Sequence, residues 1–235
     1  MSLFVNLAVL FSLSSPAMPN AEHLNILEQG CQAWNHWREQ SPGVKPDLGQ
    51  ADLTGTDLAC FNLSHTNLES ALLAGADLRG AYLASAYLYH ANLYMADLIE
   101  ANLSGACLAW ATLAGSDLYR ADLSLADLRD ANLVGALIRR ANLSAATLER
   151  ANLTRANCLQ ANLMQTNLSQ SILTEAVLES ASLIDANLTN AILVEANLIK
   201  TNACRANFRG ANLSHAEIEK TSFRGATMPD GRLYP

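Results

Sequence analysis

The chain is poor in nearly everything that catalysis draws on. Its five histidines, His23, His36, His65, His90 and His215, are dispersed, and none has a second His or Cys at metal-ligand spacing. There is no P-loop, GxGxxG, HExxH or GxSxG, so no phosphate cradle, dinucleotide turn, zinc helix or nucleophile elbow is encoded. No catalytic, cofactor-binding or metal-binding residue is assigned, and the chain reads as a non-enzyme. Its five cysteines form no CxxC, and an odd count with a member in the buried phase points away from a disulfide framework, toward a reducing compartment. Charged residues make up only 16%, with a net charge of −7, and that acidic balance argues against direct nucleic-acid binding. Aromatics are equally scarce at 6%, too few for a broad core. No apolar run reaches the ~20 residues that a membrane span requires. Proline and glycine nowhere gather into a linker, so one domain suffices.

What the sequence does have is a five-residue period. Every fifth residue from Leu53 to Met228 gives 36 positions, of which 29 are Leu, and the exceptions (Ile138, Cys158, Ala203, Phe208, Ile218, Phe223, Met228) are all apolar. Two residues earlier, from Ala51 to Ala226, the residue is Ala, with only Thr, Ser and Phe61 as exceptions. No insertion breaks the phase. Five matches neither the 3.6 of a helix nor the 2 of an ordinary strand. It does fit a square coil whose four sides are five residues each, with Leu and Ala pointing inward and residue i stacked on i+20. Thirty-six units would make about nine coils, roughly 40 Å tall at ~4.8 Å per coil. Runs such as Ala51-Asp52-Leu53, Ala91-Asn92-Leu93 and Ala151-Asn152-Leu153 resemble the A(D/N)LxX consensus of the pentapeptide-repeat family. The resemblance covers about three quarters of the chain. It implies an all-β fold, a right-handed quadrilateral parallel β-helix, here joined to a short N-terminal capping α-helix.

A solenoid needs caps, because an open end exposes apolar core and unpaired backbone. Residues 18–47 read as the N-terminal helical cap. Leu24, Leu27, Cys31 and Trp34 form an apolar helical stripe, Asn20 is the expected N-cap, and Pro42-Gly43 ends the helix. Trp34 and Trp37 are expected to cover the first leucine layer beside Phe61. The repeats occupy 48–228 and a tail 229–235. At that end Phe208, Ile218, Phe223, Met228 and Leu233 are expected to lie under a folded-over tail or to meet a second copy, giving a monomer or a tail-to-tail homodimer. Residues 1–17 read either as a signal peptide, leading to a periplasm or thylakoid lumen, or as a dispensable extension of a cytoplasmic protein.

Stacking by twenty also maps the outer surface. Asp57, Asp77, Asp97 and Asp117 align as an acidic ladder, read as a cation site, a phosphate-like surface or simply a series of Asx turns. Tyr87, Tyr89, His90 and Trp110, with Tyr82, Tyr94, Met95 and Tyr119 around the corners, concentrate the aromatics and mark a candidate protein-interaction patch. Arg139, Arg140, Arg150 and Arg155 read as surface ion-pair partners. A regular rod is expected to lack a deep concave pocket. Together these features give a non-enzymatic interaction scaffold with an unidentified protein partner, no cofactor and no stable membrane span. The alternative implied by the resemblance is a DNA mimic acting on DNA gyrase or topoisomerase, as some family members do. The mildly basic second half of the rod (eight acidic against ten basic residues from Ala136 onward) and the lack of loop insertions weigh against it.

Overall fold

The computed structural model describes residues 18–235; residues 1–17, the signal or extension of the sequence reading, lie outside the described residues. From Asp47 onward the chain winds in coils of twenty residues. The second residue of each unit bridges in parallel to the residue twenty further on, from Asp47↔Asn67 through to Asn207↔Thr227. Each unit closes with a turn in which the Ala N–H donates to the Leu carbonyl three residues back, as Ala126 does to Leu123 at 3.1 Å. With a turn every five residues, a side is too short for a continuous strand, and each side contributes a single bridged position. Between successive coils in the middle of the rod the same three bonds recur on each side. Leu123 N–H donates to Asn142 O (2.7 Å), Asn142 N–H donates back to Ala121 O (2.9 Å), and Leu125 N–H donates to Ser144 O (3.0 Å).

The fifth residue of nearly every unit is left-handed. Gln50, Cys60, Trp110, Leu125, Arg150 and many others have φ between 54° and 61°. That conformation costs a non-glycine residue roughly 1–2 kcal/mol, and glycine takes the slot at Gly55, Gly75, Gly105 and elsewhere. From Gln50 to Gly210 the hydrogen bond from the fifth-residue N–H to the next coil offsets this cost.

Inside, the leucines from Leu58 to Leu198 are shut off from water, and one continuous apolar cluster runs from Leu27 to Ala226. Of the Ser and Thr that replace the inward Ala, most pass the hydroxyl to a carbonyl: Ser116 Oγ donates to Leu113 O (2.8 Å) and Thr166 Oγ1 to Leu163 O (2.7 Å), whereas the buried Thr66 Oγ1 has no partner among the described residues. A buried hydroxyl with such a partner avoids the ~1–3 kcal/mol cost of an unmet polar group. Cys158 fills one inward slot, and burial pushes its thiol up to about 12.

At the N-terminal end the structure corrects the expected single helix. Two helices, α1 (Ala21–Leu27) and α2 (Cys31–Gln40), meet at Gly30, whose φ of 92° no helical residue can adopt. The break keeps the apolar stripe in phase, which is why the stripe alone reads as one helix. Asn20 caps α1, its Oδ1 accepting from the N–H groups of Glu22 (2.9 Å) and His23 (3.2 Å). At the other end the tail turns back. Thr227 and Leu233 form an antiparallel bridge, Tyr234 N–H donates to Ala226 O at 2.7 Å, and the Tyr234 ring lies 5.7 Å from Phe223. Ile218 and Leu233 stay 50% and 72% exposed, so the tail covers only part of the last layer.

Candidate functional site

The four sides of the coil can be named by their first-coil residues, Asp47, Asp52, Asp57 and Asn62, each heading a ladder of bridges. On the Asp47 side, Tyr87 stands in the ladder, and Tyr89, His90 and Trp110 occupy the adjoining corner. The Tyr89 and His90 rings meet edge-on with centroids 4.2 Å apart, and His90 lies 6.1 Å from Trp110 one coil further on. Tyr82 on the Asn62 side and Tyr94 with Met95 on the Asp52 side flank this group. Tyr82, Tyr87, Tyr89, Tyr94, Met95 and Trp110 are all exposed, Trp110 by 52%. Leu72, also exposed, adds to the patch from the Asp52 side. The sequence reading missed Leu72, although a Leu in the outward second slot, which Asp or Asn most often holds, was the available signal.

Tyr119 does not join them. The twenty-residue register puts it on the Asp57 side, opposite Tyr87, where its ring lies between Arg120 (5.1 Å) and Arg139 (5.5 Å). The patch therefore covers three sides of the rod and omits Tyr119.

The Asp57 side carries the acidic ladder, with Asp57, Asp77, Asp97 and Asp117 bridged in succession. Each carboxylate accepts the N–H two residues on: Ala59 (3.0 Å), Arg79 (3.1 Å), Ile99 (3.1 Å) and Tyr119 (2.9 Å). Asn fills the same turn role at Asn92, Asn102 and Asn152. The Arg79 guanidinium donates to Asp77 and stands 3.6 Å from Asp97, and it holds the Asp77 carboxyl below the usual carboxylate range. So the middle of the ladder is partly neutralised. The ladder ends where Leu137 follows Asp117. Among the described residues no group of three or more His, Cys, Asp or Glu is placed to hold a metal ion.

Of the middle-coil arginines, Arg150 and Arg155 form ion pairs along the rod, Arg140 bonds a neutral side chain and Arg139 is in no ion pair among the described residues. Arg150 bonds Asp130 at 2.7 Å, Arg155 bonds Glu175 at 2.8 Å, and Arg140 Nε donates to Gln160 at 2.8 Å. These three are exposed, and such pairs contribute little each. Within the described residues no helix is long and apolar enough to cross a membrane.

The cap substitutes for a missing preceding coil. Trp34 is fully buried, with its ring 5.0 Å from Trp37 and 6.4 Å from Phe61, and its indole N–H donates to Asn62 O at 2.8 Å. Asn35 accepts from Asn62 N–H (2.7 Å) and donates to Cys60 O (3.0 Å); Arg38 donates to Ser64 O (2.8 Å). On the Asp47 side, His23 Nδ1 accepts from Asp47 N–H (2.9 Å), and Asn20 N–H donates to Asp47 O (3.0 Å). Two sides of the first coil are thus closed by the cap. Beside the other two lies a groove of about 750 Å³, bordered by Leu24, Leu27, Leu53 and Phe61. The expectation of a rod without a concave pocket is corrected here, and the cause is a cap that answers only half of the coil edge.

The family model for pentapeptide repeats matches in eight copies, over ranges running from 47–80 to 191–228. Among solved structures, the chain is similar to HetL, a pentapeptide repeat protein involved in heterocyst differentiation regulation in the cyanobacterium Nostoc sp. The two are 34% identical over 80% of this chain and 86% of HetL, with a TM-score of 0.44. It is also similar to the pentapeptide repeat protein Rfr23 of the cyanobacterium Cyanothece, with 34% identity over 43% of this chain and 63% of Rfr23 and a TM-score of 0.37. QnrB1, a plasmid-mediated fluoroquinolone resistance protein, is 20% identical over 74% of this chain and 87% of QnrB1, with a TM-score of 0.39. No curated protein matches the chain. With the repeat model matching from residue 47 to 228, the chain belongs to the pentapeptide-repeat family, whose β-helical solenoid its twenty-residue ladder builds.

Proposed function

We propose that the protein is a non-enzymatic scaffold, a right-handed quadrilateral post of about nine coils that presents the Tyr82–Tyr87–Tyr89–Tyr94–Trp110 patch to another protein. The observation that carries this reading is the exposure of these aromatics together, in neighbouring coils of the rod. Tyr and Trp are enriched at binding hot spots because they bury much area for little lost side-chain entropy. A rigid coil holds them in place before binding, which lowers the ordering cost of association. The partly covered last layer, with Ile218 and Leu233 exposed, supports a tail-to-tail dimer as an optional addition. The compartment in which the partner is met depends on the processing of residues 1–17.

The test is site-specific photo-crosslinking in the native host, with a benzoyl-phenylalanine placed at Trp110 and, as a control on the opposite side, at Lys200. A discrete protein adduct is expected from position 110 alone, and it should disappear when Tyr82 and Tyr87 are changed to Ala. Equal labelling from both positions, or none from 110, would remove the patch from the account.

A second reading, imitation of a phosphate backbone toward DNA gyrase or topoisomerase, draws support from the four stacked aspartates of the Asp57 side. The Arg79 contacts and the mildly basic later coils weaken it. Under the scaffold reading, micromolar protein leaves gyrase supercoiling unchanged with or without a quinolone; inhibition or protection would favour the mimic instead.

A further inference from the structure

The open half of the first coil is a binding site in its own right. In later coils the second residue of each unit donates its N–H to the coil before and receives a bond at its carbonyl, as Leu72 and Asp77 do. At Asp52 and Asp57 both groups lack partners among the described residues, as do the carbonyls of Thr54 and Ala59. These are the two sides that the helical cap leaves unanswered, and both aspartates are exposed. The groove beside them has an apolar border of Leu24, Leu27, Leu53 and Phe61 and a rim carrying Glu28, Asp52 and Asp57. No Lys or Arg borders it, and none of the three carboxylates is in an ion pair among the described residues.

We propose that this groove binds a basic segment of a partner protein, which pairs main chain to main chain with the Asp52 and Asp57 edges, bending at the corner between them, as an extra rung of the solenoid. An exposed edge of bridged backbone is a template for strand addition, in which main-chain hydrogen bonds give affinity and alternate side chains give specificity. On each side the incoming segment supplies the N–H groups for the aspartate carbonyl and for Thr54 or Ala59, and accepts from the aspartate N–H, as a preceding coil would. Its alternate side chains meet the apolar border, and its Lys or Arg side chains meet the carboxylate rim. The volume lies within the ~300–1,000 Å³ typical of ligand sites and suits a short peptide. Charge selects the occupant: residues 1–17 contain no Lys or Arg and so do not complement the rim. The site lies at the end of the rod and is separate from the aromatic patch, so either can fail without the other.

The test uses the full-length protein and a fluorescent nonapeptide of alternating Val and Lys, followed by anisotropy. Saturable binding is expected, with none for the matching Val/Glu peptide. Methylating alternate backbone nitrogens of the Val/Lys peptide keeps its charge and removes donors, and is expected to weaken binding about tenfold or more, the effect of losing one or two hydrogen bonds. Asp52→Asn with Asp57→Asn should weaken binding several-fold without unfolding, since Asn serves the same turn in other coils. Hydrogen exchange gives the second readout: the Asp52 and Asp57 amides exchange freely in the unliganded protein and slow on binding. Undiminished binding by the methylated peptide would reduce the site to charge attraction. Protection of both amides before peptide is added would mean that the chain's own N-terminal residues fill the groove. Either result, or no binding at all, overturns the proposal.

Discussion

Leu178→Ala is expected to lower unfolding stability by about 2–5 kcal/mol, the range for a fully buried leucine truncated inside a packed core, and to make the thiol of the neighbouring coil reactive. Leu178 is 0% exposed and stacks one coil after Cys158, with Val177 O accepting the Cys158 N–H at 2.7 Å. A solenoid layer packs only on its two neighbours, so the loss stays local instead of spreading through a globular core. Cys158 is thereby a built-in reporter. Its thiol is buried and held protonated, with its pKa pushed up to about 12, and is inert to alkylation in the native state, whereas Cys60 is exposed. In the variant, Cys158 should alkylate much faster at low denaturant while the Cys60 rate stays unchanged. The adducts can be read by peptide mass spectrometry. A variant that loses stability with no change in the Cys158 rate would show that the coils unfold only together, contrary to the nearest-neighbour picture.

The coil was legible because its demand on sequence is so repetitive. Only a five-residue side with an inward Leu and a small inward Ala keeps one phase from Leu53 to Met228, and the twenty-residue ladder follows from four such sides. The acidic ladder and the aromatic corner follow from the same arithmetic, and that arithmetic also assigns Tyr119 to the opposite side. What the period does not encode is conformation at a slot with no fixed residue type. The left-handed fifth position holds His65, Trp110, Arg150 and Glu195 as readily as glycine, because the backbone bonds of the turn and of the next coil, not the side chain, hold it there. Scattered glycines at Gly55, Gly75, Gly80 and Gly105, always in that slot, were its only trace. The cap was legible as an apolar stripe but not as two helices, since Gly30 breaks the helix without shifting the stripe. The half-open first coil had no sequence signal. It depends on which carbonyls Trp34, Asn35 and Arg38 reach, a matter of placement that residue types do not fix.

That placement leads to the second large effect. Trp34→Ala is expected to cost about 3–5 kcal/mol, as for other buried aromatics cut back to alanine, and to fray the rod from its N-terminal end. The indole joins two functions. It fills the space above the first layer against Trp37 and Phe61, and its N–H answers the Asn62 carbonyl, which no earlier coil can reach. Trp34→Phe separates the two, keeping most of the ring volume but leaving that carbonyl without its donor, and should cost only about 1 kcal/mol beyond the volume lost. Because each coil is held by its neighbours, opening the cap exposes the edge of the first coil, and the next layer then carries the load that the first one lost. Hydrogen exchange should therefore quicken most at Leu63 and Leu68, whose N–H groups bond to Phe61 O and Tyr87 O near the cap, and fade toward Leu123 in the middle of the rod. Uniform acceleration along the ladder would mean that the rod melts as one unit. An unchanged melting temperature would mean that the helices decorate the solenoid without closing it, and that the hydrogen bonds from Asn35 and Arg38 to the coil edge suffice on their own.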